Sequence, residues 1–334
     1  VKNRVMPPYY ADDGGKCQSF RDNHWLPDAD IDALLAWTNG TRSAGDPTDA
    51  SPLPPAATAS AEIDRTLDTG VDYTPDATLT DDYRCFVVDP GLATDQFLTG
   101  FQVRPGNTTV VHHVIAFALG NAASEADAED RDGRAAGPGF PCPQGVERGS
   151  FLVGWVPPGG FQRLPETTGL RIHSGRKLVV QVHYNLANSN GKPDRTRIDL
   201  DLEPQVAAEA AILQLRGDVN LPARTYDAIA AGTRTLPAIG PAGRVWGVQM
   251  HMHQRGIGGG VVHTTAGGDA CLLDLTRWSF HWQHLYWYDT PVAVAPSDTL
   301  KVTCRYDTTA DDAPVRWGER SVDEMCIAYL YMSF

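Results

Sequence analysis

Residues 108–119 read Thr108-Thr109-Val110-Val111-His112-His113-Val114-Ile115-Ala116-Phe117-Ala118-Leu119, directly after the turn Arg104-Pro105-Gly106-Asn107. A short run rich in β-branched and aromatic residues, bounded by Gly, Pro and Asn, is the pattern of a strand. The same grammar recurs along the chain. Residues 177–186 lie between Ser174-Gly175 and a polar stretch ending at Pro193, and residues 244–253 lie between Gly243 and Gly256. Residues 299–306 and 325–332 complete the set. No βαβ rhythm repeats, and neither GxGxxG nor GxxxxGK[ST] occurs; Gly258 to Gly260 lack the lysine a phosphate loop needs. The reading is all-β, two tandem antiparallel β-sandwiches of about 130 residues each.

The chain has 334 residues, enough for two domains with sizeable cores. We expect an N-terminal segment over 1–71, a first sandwich over 72–205 and a second over 206–334, with the junction between Leu200 and Gly217. In the N-terminal segment, Ile31, Leu34, Leu35 and Thr38 at helical spacing predict a short helix closed by Asn39-Gly40. A Pro/Ala/Ser-rich linker or extended arm follows it over 41–61. Residues 120–149 are too polar for core and are expected as a surface excursion.

Lys and Arg number 28 against 41 Asp and Glu, a net charge of −13. An acidic chain without a long basic run is a poor partner for a phosphate backbone, so nucleic acid is not an expected ligand. No stretch reaches the roughly 18 continuous apolar residues of a spanning helix, so no transmembrane segment is expected. The six cysteines are far apart, with no CxxC or CxxCH. That usage suits disulfides in an oxidising compartment and predicts an exported protein, periplasmic or extracellular. Sequence alone leaves about 15 pairings open.

Of ten histidines, several sit inside apolar strand candidates, where an imidazole must be hydrogen-bonded or metal-bound. His251 and His253 are two apart, so one strand would turn both to one face, together with Gln249. His112 and His113 are adjacent and would face opposite sides unless a bulge, a strand end or strong twist intervenes. His183 shares its face with Gln181. Three imidazoles could thus be offered by the first sandwich, and two imidazoles with a thioether by the second. Imidazole suits copper and thioether favours its cuprous state; in the methionine's place zinc would prefer a carboxylate, a thiolate or a third histidine.

Five pieces then appear in order: Tyr83-Arg84-Cys85, Val111-His112-His113-Val114, Gln181-Val182-His183-Tyr184, His251-Met252-His253 and Asp323-Glu324-Met325-Cys326. Over roughly residues 72–334 the chain resembles the copper type II, ascorbate-dependent monooxygenases, the family of the peptidylglycine α-hydroxylating and dopamine β-monooxygenases. The resemblance implies two jelly-roll-like sandwiches separated by a solvent-filled cleft, with one copper each. His112, His113 and His183 would bind the copper that relays an electron. His251, His253 and Met325 would bind the one where dioxygen and substrate meet. Gln181 and Tyr83 match positions beside the first copper. The implied chemistry is hydroxylation of a substrate C–H bond with dioxygen, electrons coming singly from ascorbate or another donor. Cys304 and Cys326 resemble the family's disulfide beside the methionine; Cys85 with Cys142 is the second expected pair, which leaves Cys17 and Cys271.

The match departs from the peptide-amidating members at the substrate. Their arginine two residues before HxH is Gln249 here, and their asparagine two residues after the methionine is Ile327; the following tyrosine is kept as Tyr329. Without a charged carboxylate clamp, a neutral or aromatic small-molecule substrate is expected. The aromatic run His281 to Tyr288 is either sandwich strand or cleft wall. Met6-Pro7-Pro8-Tyr9-Tyr10, Leu26-Pro27-Asp28 and Leu34-Leu35-Ala36-Trp37 resemble the end of a c-type cytochrome domain found ahead of such bacterial monooxygenases. Met6 would be its axial ligand, and a haem-protein electron donor is then an expected partner. The alternative function is a copper-binding or copper-trafficking protein without catalysis.

Overall fold

The computed structural model describes all residues except 1–8, 13–14, 22, 24, 50–62, 144, 147–148, 158, 188–190 and 239, so Met6 and most of the linker lie outside the described residues. Strands dominate, and they assemble into a shared architecture. A five-stranded sheet runs Phe140–Pro141, Asp81–Val88, Leu178–Asn185, Val111–Leu119, Gly149–Trp155. A four-stranded sheet runs Tyr226–Thr235, Thr299–Asp307, Gly256–Thr265, Gly268–Leu275. Both are backed by one nine-stranded sheet. Its first half, with Arg65–Asp68, Arg197–Glu203, Gln96–Arg104 and Thr168–Ile172, closes one sandwich around Val114, Val180, Val182, Leu98, Ile198 and Leu200. Its second half, with Ala208–Arg216, Ile327–Ser333, Gly243–His251 and Leu285–Val294, closes the other around Val245, Met250, Val261, Val302 and Leu330.

The halves are joined where Ala208, Glu209 and Ala210 pair in parallel with Thr168, Gly169 and Leu170. Arg65–Asp68 precedes residue 72, the expected start of the first sandwich, yet pairs with Arg197–Glu203 as its edge strand. The three disulfides are Cys17–Cys271, Cys85–Cys142 and Cys304–Cys326. The first ties the N-terminal arm to the second sandwich, where Phe20 packs on Tyr286 and Tyr288.

Two helices qualify the sequence reading. Asp28–Asn39 forms as expected, but of its apolar spacing only Ile31 is buried; Leu34 and Trp37 are exposed. The 120–149 excursion holds a helix that its polarity concealed, Ala122–Arg134. Asn121 caps it by accepting from the Ser124 N–H while Ser124 bonds back, which satisfies otherwise orphaned donors. Ala128 of this helix packs with Leu119, Phe140, Val179 and the Cys85–Cys142 bridge on the outer face of the five-stranded sheet. Burial on both faces explains why Leu178–Asn185 reads as a continuous apolar run rather than an alternation.

Candidate metal centre

His183 lies opposite Tyr83 on one neighbouring strand and opposite His113 on the other. The pairing register slips between Val111 and His113, and this irregularity lets the adjacent His112 and His113 serve one point. One ring nitrogen from each of His112, His113 and His183 lies within 4.8 Å of the others. His183 and His113 face each other through Nδ1 at 3.2 Å, while the buried Nδ1 of His112 has no hydrogen-bond partner. Burial pushes His112 down to about 3 and lowers His113 and His183 as well, so these imidazoles are neutral and can offer lone pairs. A buried orphan nitrogen beside two converging ones is costly as it stands and fits a cation.

The surroundings fix the rings. Asp81, at the head of Asp81–Val88, lies 2.9 Å from His183 Nε2 and holds the proton there, leaving Nδ1 as the acceptor. Tyr83 stacks flat on His183, ring centroids 4.0 Å apart, and donates its hydroxyl to the Glu319 carbonyl at 2.8 Å. Gln181, on the same face of its strand as His183, donates to the Cys142 carbonyl at 2.6 Å, which links the disulfide to the site's floor.

The second group sits where strands end. His251 is the last residue of Gly243–His251 and pairs with Ile327. His253 falls beyond that strand, and Met325 precedes Ile327–Ser333 rather than riding on it, contrary to the expected strands over 244–253 and 325–332. Met250 and Met252 turn into the core. His251 Nδ1 bonds Gln283 Oε1 at 2.7 Å and His253 Nδ1 bonds the Asp323 carbonyl at 3.1 Å, so both rings keep Nε2 for a ligand. The rings' centroids are 5.1 Å apart. Burial holds His253 near 3 and lowers His251. Glu324, fully buried, accepts the backbone N–H of His253 at 2.8 Å and of Arg255 at 2.7 Å. Tyr306 donates to the Met325 carbonyl at 2.7 Å, and Cys304–Cys326 anchors the next residue. Two neutral imidazoles and a buried thioether fit a soft monovalent ion such as Cu(I).

All six side chains line one cavity of about 790 Å³, together with Tyr83, Gln181, Gln249, Ile327 and Tyr329. Phe280 stands between the groups: its ring is 4.9 Å from His112 and 5.9 Å from His253. The two sets therefore share one compartment bridged by a side chain, not a wide gap. Sequence reasoning missed Phe280 and Gln283, which belong to an irregular turn without periodicity; the signal was their place beside and within the aromatic run from His281 to Tyr288. That run divides as both readings had it, with Tyr286 and Tyr288 in the core and Gln283 on the cavity wall beside Phe280.

Residues 220–333 match the family profile described as copper type II ascorbate-dependent monooxygenase, C-terminal domain. Tyramine beta-hydroxylase of Caenorhabditis briggsae is 27% identical over 248 residues, 69% of this chain and 40% of that protein. Over that C-terminal third, the chain is similar to the copper type II, ascorbate-dependent monooxygenases. A putative DBH-like monooxygenase protein 2 of Homo sapiens is 26% identical over 248 residues, 67% of this chain and 47% of its own length. The chain thus spans less than half the length of these curated relatives. The matched segment contains His251, His253 and Met325. Among the described residues no helix is long and apolar enough to cross a membrane.

Proposed function

We propose that this chain is a copper-dependent monooxygenase that hydroxylates a C–H bond of a neutral or aromatic small molecule. His112, His113 and His183 would hold one copper, and His251, His253 and Met325 the other, two per chain. The bound metals would supply dioxygen with electrons one at a time, replenished by ascorbate or another one-electron donor, a haem protein among them. The observation that supports this reading is the convergence of both donor sets on one cavity.

The chain's own residues do the rest. Low imidazole basicity keeps the ligands free of protons at neutral pH. Gln283 and Asp323 fix the ring orientation of His251 and His253. Next to them Gln249 and Tyr329 occupy one rung of the sheet, and the Tyr329 ring lies 5.0 Å from Phe151. With the buried Ile327 they form an uncharged wall whose aromatic rings offer a surface on which an aromatic body can pack. The three disulfides fit a protein exported to the periplasm or the extracellular space.

The test is copper content after reconstitution, paired with ascorbate-driven oxygen uptake on the same sample. Two coppers per chain and uptake that rises with a C–H-bearing aromatic substrate are expected. Two coppers without uptake would favour a copper carrier; one or none would overturn the ligand assignment.

A further inference from the structure

Asp81 makes contacts in both halves of the molecule. Its Oδ1 lies 2.9 Å from His183 Nε2 and also accepts from Ser321 Oγ at 3.3 Å. Ser321 is 5% exposed and lies four residues before Met325. Two residues earlier, the Glu319 carbonyl accepts the hydroxyl of Tyr83, whose ring covers His183. Residues 319–321 are therefore held by two hydrogen bonds to the strand that frames the first site. The residues that follow serve the second: the Asp323 carbonyl orients His253, and Glu324 grips its backbone. A continuous path of contacts runs His183–Asp81–Ser321 and on to the segment bearing Met325.

We propose that Asp81 is a positioning residue shared by the two sites, and that through Ser321 it makes occupancy of one site tighten the other. The physical reason is the state of His183. As a neutral ring it gives Asp81 an ordinary hydrogen bond. Once it carries part of a metal ion's charge, its Nε2–H becomes a charge-assisted donor, which is shorter and stronger. The carboxylate is then fixed before Ser321 binds it, so ordering residues 321–325 loses less conformational freedom. Linkage requires the effect to be reciprocal: a filled second site stabilises residues 321–325, and with them the Asp81 geometry that presents His183 Nδ1.

This rests on the two-copper reading, and the experiment separates the two. Anaerobic Cu(I) affinities are measured by competition with a chromophoric chelator, with first-site Cu(II) followed by electron paramagnetic resonance. In the unaltered protein, breaking the first site by His113→Ala should weaken the second about fivefold or more. In a Ser321→Ala background that ratio should fall toward one, any remainder passing through Tyr83 and Glu319, while the first site's affinity and spectrum with the second site empty stay unchanged. Asp81→Asn should weaken the first site about 10- to 100-fold and alter its spectrum, a change that loss of stability alone does not produce. Persistence of the ratio in Ser321→Ala, or an unaltered first site in Asp81→Asn, overturns the proposal. Two coppers that bind independently in the unaltered protein also overturn it but leave the copper reading standing. Failure to bind two coppers overturns both.

Discussion

His113 and His183 face each other on paired strands inside a sheet, whereas His251 occupies the last rung of its strand and His253 and Met325 lie beyond any strand. The first group is set by backbone register; the slip at His112 is part of that register. The second is set by side chains and staples: Gln283, Glu324, Tyr306 and the Cys304–Cys326 bridge. A ladder of backbone hydrogen bonds resists local change, while an end held by individual contacts can be tuned or lost one contact at a time. The proposed chemistry would follow the same division. An electron relay needs a constant ligand field, and a centre that meets oxygen and substrate needs an open position and room to adjust.

The largest effect should come from the weakest ligand type. Met325→Ile is expected to lower hydroxylation by more than about a hundredfold, since even outer partners of a metal site are worth 10- to 100-fold. One copper per chain should remain, on His112, His113 and His183. Full activity would dissolve the distinction between the sites. Opening the Cys304–Cys326 bridge with paired serine substitutions should cost about 3 kcal/mol in denaturant unfolding, by the entropy of the loop it closes. Copper should weaken at the second site alone; equal weakening at both would mean that the staple serves the whole fold. Gln283→Ala should lower second-site copper affinity by about tenfold and leave the first unchanged, read by chelator competition.

A further effect concerns both sites alike. His112 and His253 are held near 3 against an ordinary 6.5 by burial. Their folded values lie below the unfolded one, so below pH 6.5 the unfolded chain binds more protons and metal-free protein loses stability as pH falls. Each ring contributes up to about 1.4 kcal/mol per pH unit through that window. The Tm of metal-free protein should therefore fall between pH 6.5 and 5. A flat profile would show that these rings are not buried neutral.

Much of this was legible in the sequence, and the misses have physical causes. Apolar runs punctuated by Gly, Pro and Asn were enough to read two sandwiches, because that pattern reflects burial itself. The pair His112-His113 left bulge, strand end and twist open, since a register slip depends on the partner strand and not on local sequence. His251 and His253 were expected on one strand; the strand stops after His251, where the chain turns away to let Trp278 reach the His253 carbonyl. Asp81 was passed over although it stands two residues before Tyr83, because an acid at a strand's start ordinarily faces water. Helix Ala122–Arg134 was hidden by its charge, though Asn121 and Ser124 at capping distance were its signature.

The nine-stranded sheet carries a consequence for anyone who would treat the halves as modules. Ile212, Trp246, Trp287 and Tyr331, all from the second half, pack against the first half's core, and Ala208 to Ala210 complete its sheet. A cut between Glu203 and Ala208 would not release two building blocks. It would expose two raw strand edges and strip one core of its neighbours, the condition in which β-proteins add strands from other molecules and precipitate. Neither donor set can be transplanted by grafting its own half; the pair is portable only as a pair.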